Sequence, residues 1–526
     1  MQNTSPTFFY GKDHLTAGKA LSLARGTSRG ALHESTKTAI QKSRHIVEKI
    51  AKGDAAVYGI NTGFGPLCTT RISKEDTSTL QHNILKSHSV GVGQPIENEI
   101  AKLMMVLKMQ ALSKGRSGVA MATLERIQWH IENDIVPVVP SQGSVGASGD
   151  LAPLSHLFLP LIGLGKASYK GEVLPSIDIL RKEKKAPLTL GAKEGLALIN
   201  GTQFIAAHAI KVVEKLHNCL SQADIIGAMM IEGLLGSASP FLPELHALRP
   251  FAGNKHVAQR IASLLKNSEI NDSHAGCDRV QDPYSLRCMP PVHGASRNAW
   301  LHLKDLLETE LNSVTDNPVI INEKLTISGG NFHGQPLAMP LDYACLAAAE
   351  LGNISDRRTY LSLMGIAEGT PKLLMKDIGI NSAFMILQYT SAALVSENKT
   401  MCSPASADSI PTSLGQEDHV SMGSISGRKA LQVANNLEKI LAIELLCAAQ
   451  AFDFHKPLKS SPMLDAVHGM VRQKITHASE DRIFADDIEK AISIIKEKSI
   501  LEVAYAAAAN ADLEFETEFE DMFEKY

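Results

Sequence analysis

The pattern of hydrophobic and polar positions predicts a protein built mainly from long α-helices. Strand-like alternation is scarce, and Ala- and Leu-rich stretches dominate the second half of the chain. Long helices are predicted over residues 206–235, 295–313, 341–364, 383–398 and 428–452. In the last of these, one apolar stripe recurs at helical spacing and consists of Val433, Ala434, Leu437, Leu441 and Leu445. Helices of this length favour a bundle with its core along a common axis.

The same pattern divides the chain into three parts. Residues 1–200 mix short helices with Gly-rich loops, residues 201–456 form a central helical bundle, and residues 457–526 form a C-terminal helical region with an acidic tail. The VPVVP segment at residues 136–140 predicts extended chain, because proline restricts the residue before it. In the tail, Phe515, Phe519 and Phe523 recur at four-residue steps. This spacing predicts an amphipathic terminal helix docked on the body or on a neighbouring subunit.

Composition and charge narrow the function classes. The net charge of the 526 residues is −4 and the 52 basic residues are scattered, which argues against a nucleic-acid partner. No run of about 18 apolar residues predicts a membrane span, and the first residues lack the pattern of a signal peptide. The seven cysteines are dispersed without a Cys-x-x-Cys pair, so neither a disulfide framework nor a metal site is expected. A reducing cytoplasm fits this cysteine usage.

The tripeptide Ala147-Ser148-Gly149 is the strongest candidate for chemistry. If the amide nitrogen of Gly149 attacks the carbonyl of Ala147, a five-membered ring closes, and loss of water including the Ser148 hydroxyl leaves an exocyclic methylidene. Gly149 has no Cβ and can reach the strained geometry. Asp150 is a good helix N-cap and Pro153 suits a first turn. The ring is therefore expected near a helix N-terminus, whose positive end favours negative charge.

Other interpretations of this segment remain. A hydrolase nucleophile elbow requires Gly-x-Ser-x-Gly, and Asp150 breaks that pattern. A phosphate-binding loop requires a glycine spacing or a Gly-Lys-Ser/Thr ending that is absent. A plain Gly- and Ser-rich loop that opens a helix is common. Taken alone, the tripeptide leaves the reactive ring and the plain loop both open.

The run GASGDL at residues 146–151, followed by PLSH at 153–156, resembles the signature of the aromatic amino acid ammonia-lyases. The resemblance extends from about Tyr10 to near Phe452 and includes several motifs in the family's order. It implies a mainly α, ammonia-lyase/aspartase-like fold, with an elongated central helical bundle and an N-terminal part that bears 4-methylidene-imidazol-5-one (MIO). It also implies that MIO forms from Ala147-Ser148-Gly149 without an external cofactor, and that a homotetramer shares its active sites between subunits.

Ammonia loss from an amino acid requires an electrophile that activates the amine and a base that removes the β-proton. By the resemblance, Tyr58 in the YGINTGFG loop is the base. In the QDPYSLR motif, Arg287 pairs with the substrate carboxylate, for which its planar fork is suited. Gln281 and Tyr284 line the same pocket, with Tyr284 counted among the catalytic groups. A structural tyrosine in a turn and an ordinary surface arginine are the alternatives.

Two further residues are assigned to the site by the resemblance. Asn200, in the LINGT segment, matches an asparagine that hydrogen-bonds the MIO ring. Phe332, in GGNFHG, matches an aromatic residue near that ring. Either residue could instead serve packing. His293 and His333 are assigned no catalytic role.

The substrate is indicated by His88 and Glu417. The Ser87-His88 pair and the QEDHVSM segment at 416–422 resemble the histidine-specific branch, in which the glutamate meets the substrate imidazole. A carboxylate accepts an imidazole N–H, whereas a phenyl ring would leave it desolvated and unpaired. A solvated acidic loop is the alternative. One departure stands out, since the family usually has Asn where this chain has Gly415, which puts the pose of the loop in doubt.

The expected reaction is therefore deamination of a small-molecule substrate, L-histidine, to trans-urocanate and ammonia, the first step of histidine degradation. A tyrosine or phenylalanine ammonia-lyase, or an aminomutase, on the same scaffold is the nearer alternative. An inactive helical assembly protein is the more distant one. It predicts loss of Ser148, Tyr58 or Arg287, and all three are present.

Overall fold

The computed structural model describes residues 7–67, 70–73 and 76–523. Within these ranges the chain is mainly helical, as predicted. The helices are α1 Ala17–Ala24, α2 Glu34–Lys52, α3 Thr77–His88, α4 Asn98–Ser113, α5 Met121–Glu132, α6 Leu151–Phe158, α7 Ser176–Lys182, α8 Glu194–Ile199, α9 Gln203–Gly233, α10 Pro243–Ala247, α11 Ala252–Leu264, α12 Glu269–Ser273, α13 Tyr284–Arg287, α14 Met289–Leu311, α15 Gln335–Ser362, α16 Met385–Met401, α17 Gly423–Asp453, α18 Pro462–Lys474, α19 Phe484–Lys496, α20 Ser499–Asn510 and α21 Glu518–Asp521.

Short strands and turns connect these helices. The strands are β1 Phe8–Phe9, β2 Gly30–Ala31, β3 Val92–Pro95, β4 Val136–Pro137, β5 Pro140–Gln142, β6 Lys166–Tyr169, β7 Glu172–Pro175, β8 Val319–Asn322 and β9 Leu325–Ile327. β1 and β2 pair in parallel, whereas β3–β5, β4–β6–β7 and β8–β9 are antiparallel. Short 3₁₀ turns lie at Gly65–Leu67, Leu159–Ile162, Ser239–Phe241, Lys372–Leu374, Ala405–Ala407 and Ser413–Gly415. β4 and β5 confirm that the VPVVP segment is largely extended.

The core of the molecule is a bundle in which α17 packs against α9 and α15, and α14 packs against α15 and α11. The predicted long helices are all present, but four begin earlier than the apolar pattern indicated, and the difference is largest for three of them. α14 begins at Met289 and α15 at Gln335, each with proline in its first turn, and α17 begins at Gly423. Proline is tolerated there because the first N–H groups of a helix have no intrahelical acceptor. The proline and glycine residues in these first turns therefore led the sequence pattern to place the helix starts too late.

One continuous apolar core includes residues from all three predicted parts of the chain. Leu21 near the N-terminus, Leu441 in the bundle and Ile494 in the C-terminal region belong to the same buried cluster. The described residues therefore pack as one body around α9 and α17, and the three-part division stays a prediction. Among the described helices, none combines the length and apolar character needed to cross a membrane.

The C-terminal tail differs from its prediction. In the part of the tail that the structure describes, which ends at residue 523, only α21 is helical, so the predicted amphipathic helix through all three phenylalanines is wrong in extent. Phe519 is buried and its ring stacks on His217 with centroids 4.7 Å apart. Arg260 donates to the backbone carbonyl of Glu516 at 2.9 Å, which occupies an acceptor that a longer helix would use. The tail docks on its own chain.

A group of buried charged side chains lies beneath the tail. Asp224 accepts from His293 at 2.8 Å and from Arg297 at 2.7 Å, and lies 3.2 Å from Arg260. Burial alone would raise the pKa of Asp224, but these three partners hold it well below its usual range. Phe519 lies under the Arg297 guanidinium, 4.8 Å from ring centroid to carbon. The tail therefore covers two buried arginines with aromatic faces and acidic groups.

Candidate active site

The loop between β5 and α6 carries the tripeptide in a compact, left-handed conformation. Ser148 has φ of 50°, and Gly146 and Gly149 each have φ of 82°. A Cβ on Gly149 would lie 2.1 Å from the carbonyl oxygen of Gly201. Only glycine fits this position, because it adopts positive φ without strain and leaves room for the neighbouring backbone. The tripeptide is therefore held in a compact turn whose last position accepts only glycine.

Backbone hydrogen bonds grip both sides of the tripeptide. Gly201 N donates to Ser148 O at 3.2 Å, and Asp150 N donates to Gly201 O at 2.8 Å. On the other side, Met422 N donates to Val145 O at 2.9 Å. The N-termini of α6, α9 and α17 consequently converge on this loop. Their positive ends favour a group that accumulates negative charge there.

Asp150 has a different role from the one predicted. It precedes α6, yet its side chain does not cap that helix. Its Oδ2 accepts from Phe204 N and Ile205 N, both at 3.0 Å, at the start of α9. Burial raises the pKa of Asp150 to about 7, although these backbone donors oppose the shift. The carboxylate therefore ties the tripeptide loop to the longer helix, while Pro153 lies in the first turn of α6 as expected.

Five of the predicted site residues surround one cavity of about 490 Å³. They are Tyr58, His88, Ser148, Asn200 and Glu417. Ala147 lines an adjoining cavity of about 230 Å³, which His88 and Glu417 also line. Much of the remaining lining is apolar, including Ile84, Leu151 and Leu196. The cavity thus combines a few polar groups with apolar walls, as small-molecule sites do.

Glu417 is bonded on both carboxylate oxygens. Its Oε1 accepts from Ser148 Oγ at 3.2 Å, and its Oε2 accepts from Ser413 Oγ at 2.7 Å and Thr412 Oγ1 at 3.1 Å. Gly415 in the same loop has φ of 84°. Glycine adopts this left-handed conformation without strain, and asparagine is among the few other residues that also adopt it.

His88 is the last residue of α3 and lies beside Glu417 in the cavity. Its Nδ1 lies 3.0 Å from Ser87 Oγ. Burial lowers the pKa of His88, while the carbonyl of Ile84 and the charge of Glu417 oppose the shift. The neutral imidazole is therefore favoured, and its ring can donate or accept one hydrogen bond with a polar group of a bound molecule.

Asn200 is buried and held from two directions. Its side-chain Nδ2 donates to Asn317 O at 2.7 Å, and its backbone carbonyl oxygen accepts from Lys108 Nζ at 2.5 Å. Burial lowers the pKa of Lys108 to about 7, with Asp316 opposing that shift. Asp316 in turn pairs with Lys193 at 2.5 Å. These charges beneath the site were not predicted, although a lone lysine within the apolar run LMMVLKMQAL of α4 was a signal.

Tyr58 reaches the cavity from a Gly-rich turn. Its hydroxyl oxygen accepts from Gly65 N at 3.3 Å. Gly59 and Gly65 have φ of 71° and 53°, so the turn folds tightly around the ring. The phenol oxygen thus lies in the same cavity as Ser148 and next to a backbone donor.

Arg287, Gln281, Tyr284 and Phe332 lie elsewhere in the single chain. Arg287 donates to Gln281 Oε1 at 2.8 Å, and its guanidinium stacks on Tyr284 at 4.6 Å. Arg287 and Gln281 line a different cavity, of about 350 Å³, and Tyr284 is 72% exposed. Phe332 is half-buried in the turn before α15, outside the Ser148 cavity as the described residues define it. One chain therefore brings together the electrophile, base and imidazole-binding candidates, but not the carboxylate-binding ones.

The chain matches a known family along most of its length. Residues 15–473 match the family model for aromatic amino acid lyases. The histidine ammonia-lyase of Myxococcus xanthus is 44% identical over 505 residues, which cover 96% of this chain and 99% of that protein. The histidine ammonia-lyase of Natranaerobius thermophilus is 46% identical over 470 residues, covering 89% and 92% respectively.

Solved structures show the same fold. The histidine ammonia-lyase of Trypanosoma cruzi superimposes with a TM-score of 0.89 at 38% identity, covering 98% of this chain and 97% of that one. A tyrosine aminomutase from Streptomyces globisporus also reaches a TM-score of 0.89, at 35% identity, covering 97% and 100%. Since proteins named for different reactions share this fold, side chains in the cavity must decide the substrate.

Proposed function

The chain belongs to the aromatic amino acid lyase family, and we propose that it removes ammonia from L-histidine to give trans-urocanate, the first step of histidine degradation. The observation that carries this proposal is the 3.2 Å hydrogen bond between Ser148 Oγ and Glu417 Oε1 inside one cavity. A carboxylate that can accept an imidazole N–H thus lies directly beside Ser148, and this supports the proposal. The high identity to histidine ammonia-lyases supports the same substrate.

Members of this family generally use MIO, and we assign that group to Ala147-Ser148-Gly149. Attack of Gly149 N on the Ala147 carbonyl carbon closes the ring with loss of one water, and elimination of the Ser148 hydroxyl releases a second. The positive φ values and the space that only Gly149 fits support this assignment. When formed, the group supplies an electrophilic methylidene carbon that activates the substrate amine. Neither a metal nor an external cofactor is needed for this chemistry.

Tyr58 is the proposed base for the β-proton. Its hydroxyl oxygen already accepts a hydrogen bond from Gly65 N, and this donor stabilises negative charge on the phenol oxygen. A base must lie within hydrogen-bond reach of the proton that it removes. Tyr58 and Ser148 line the same cavity, which supports this role for a substrate bound between the two residues.

Glu417 and His88 are proposed to hold the imidazole. An imidazole N–H donates to the Glu417 carboxylate, and the neutral His88 ring exchanges a hydrogen bond with the other side of the substrate ring. A phenyl side chain would displace water from Glu417 without replacing its hydrogen bonds. A carboxylate oxygen that loses water and gains no donor is destabilised, so this pocket should discriminate against phenylalanine. Asn200 is proposed to orient the MIO ring from below.

Arg287 is proposed to bind the substrate carboxylate in a homotetramer whose active sites are shared between subunits. The separation of Arg287 from the Ser148 cavity supports an assignment to another subunit's site. Exposed apolar side chains on α15 and α16 also support assembly; they are Met339, Tyr343, Leu346, Tyr360, Ile386 and Tyr389. Gln281, Tyr284 and Phe332 are proposed to complete the same shared site. A cytoplasmic location is proposed from the dispersed cysteines, which suit a reducing compartment.

An ultraviolet assay of the purified protein with L-histidine, L-tyrosine and L-phenylalanine in parallel tests the proposal. Each elimination product is a conjugated acrylate with its own absorption band. We expect urocanate from L-histidine and little product from the other two. Coumarate or cinnamate as the main product would contradict the substrate assignment and would favour the tyrosine or phenylalanine alternative. Isomerised β-amino acid would indicate an aminomutase. The Ser148→Ala variant is the matched negative control.

A further inference from the structure

Two hydroxyl groups hold one oxygen of the Glu417 carboxylate. Ser413 Oγ donates to Oε2 at 2.7 Å, and Thr412 Oγ1 donates to the same oxygen at 3.1 Å while also lying 3.3 Å from the backbone carbonyl oxygen of Glu417. Hydrogen bonds to an ionised acceptor are shorter and stronger than those between neutral groups. Because both donors converge on Oε2, they fix the plane of the carboxylate and occupy that oxygen.

The backbone of this loop is closed around the same contact. Thr412 N donates to Glu417 O at 2.9 Å, and Gly415 N donates to Thr412 O at 3.0 Å. Ser413 and Leu414 have φ of 51° and 55°, a region that residues other than glycine rarely adopt. Such strain persists only where surrounding contacts impose it, and it is concentrated at ligand-binding positions. From this strained conformation the Ser413 hydroxyl reaches Glu417.

The other carboxylate oxygen faces the tripeptide. Ser148 Oγ donates to Oε1 at 3.2 Å. In the proposed ring closure this hydroxyl leaves as water, so Oε1 loses its donor. The freed oxygen lies in the cavity shared with His88, where an imidazole N–H can take the place of the hydroxyl. Glu417 therefore has one occupied oxygen and one that ring formation makes available.

We propose that Thr412 and Ser413 are specificity-determining positioning residues, which occupy Oε2 of Glu417 so that Oε1 receives the imidazole N–H of the substrate. This inference rests on the proposed deamination of L-histidine. A phenyl side chain has no N–H to offer Oε1, so the two hydroxyls contribute to the binding of histidine and not to that of phenylalanine. Their effect is exerted through Glu417, without contact to the reacting atoms.

Steady-state kinetics of Thr412→Val, Ser413→Ala and the double variant test this inference. Each single variant is expected to raise the KM for L-histidine about tenfold, the effect of losing one hydrogen bond to a charged group, with a much smaller change in kcat. Thr412→Ser keeps the hydroxyl and is expected to retain the wild-type KM. Thr38→Val is the matched control, because its hydroxyl donates to the carbonyl of Glu34 on α2 and the chemical change is the same.

Calorimetric titration in a Ser148→Ala background makes the test independent of ring formation. In that background, Thr412→Val and Ser413→Ala are expected to weaken L-histidine binding about tenfold and to leave L-phenylalanine binding unchanged. Unchanged histidine KM and affinity in the double variant would overturn the inference. Equal losses for both amino acids would also overturn it, because they would indicate general damage to the loop.

The wild-type assay separates this inference from the proposed function. A wild-type protein that forms no urocanate contradicts histidine deamination itself, and with it the role of the two hydroxyls. Urocanate formation by wild type together with an unaltered KM in the double variant contradicts only the role of Thr412 and Ser413.

Discussion

Ser148 Oγ donates a 3.2 Å hydrogen bond to Glu417 Oε1 inside the cavity, although 269 residues separate the two in sequence. In histidine, one methylene separates the imidazole ring from the carbon that bears the amine. A group that activates the amine and a group that receives the ring must therefore lie side by side. The contact between these two residues matches that requirement of the substrate.

Ser148→Ala is expected to retain the fold and to abolish turnover of L-histidine. Alanine has no hydroxyl to eliminate, so the methylidene cannot form. Intact mass spectrometry should show the wild-type chain lighter than its sequence by two water molecules, whereas the variant cannot lose the water that contains the Ser148 hydroxyl. Circular dichroism checks that the helical content is unchanged. Full activity in the variant would contradict the assignment of MIO to this tripeptide.

Glu417→Gln is expected to lower kcat/KM for L-histidine by about 10- to 100-fold, because an amide accepts a weaker hydrogen bond from the imidazole than a carboxylate does. The melting temperature should change little, since Glu417 is only partly buried in a surface loop. Asp418→Asn is the matched control, because it makes the same chemical change at the adjacent exposed residue. An unchanged histidine rate in Glu417→Gln would remove Glu417 from the site.

The single variants Arg287→Ala and Ser148→Ala are each expected to be inactive when expressed alone. Activity is expected to return when the two variant chains are co-expressed. In a homotetramer with shared sites, co-expression of the two variants creates some sites that combine an intact Ser148 from one subunit with an intact Arg287 from another. Activity of the purified mixed tetramers, against that of a mixture of separately purified variants, measures this complementation. No gain on co-expression would show that each chain builds its site alone.

Asp150→Asn should change the dependence of stability on pH. Burial raises the pKa of Asp150 to about 7 in the folded protein, whereas an unfolded aspartate titrates near 3.9. The folded state holds this proton more tightly, so the resulting stability is present below about pH 4 and is lost as pH rises through about 7. Asparagine cannot ionise. The melting temperature of the variant minus that of wild type should therefore increase from pH 4 to pH 7, and a constant difference would contradict the raised pKa.

Phe519→Ala is expected to destabilise the protein by about 3–5 kcal/mol, the usual effect of truncating a buried phenylalanine. The side chain is buried against His217 and Arg297, so its loss also exposes a charged group under the tail. Thermal unfolding of Phe519→Ala and of Phe523→Ala, a partly exposed residue of the same tail, gives the comparison. Equal effects of the two substitutions would contradict the docking of Phe519.

The sequence predicted the features that depend on local chemistry. Short-range patterns of residue type mark the Ala147-Ser148-Gly149 loop, the Glu417 segment and the long helices. The structure contains the helices, and Ser148 and Glu417 line one cavity. The attachment of Asp150 to α9 was missed because an aspartate before a helix is equally suited to capping that helix. The buried Lys108 beneath Asn200 depends on how α4 and α8 pack, which periodicity does not specify. The proposed role of Arg287 requires assembly of several chains, which no short-range pattern in the sequence specifies.

The hydrogen bonds from Gly201 and Met422 to the tripeptide loop involve residues that are synthesised after the tripeptide. Both residues follow the tripeptide by long stretches of chain, and each acts only after its helix has docked. Until then these two hydrogen bonds to the tripeptide loop cannot form. For the proposed MIO this implies that ring closure follows the docking of α9 and α17, so that an unfinished chain would carry an ordinary serine at position 148.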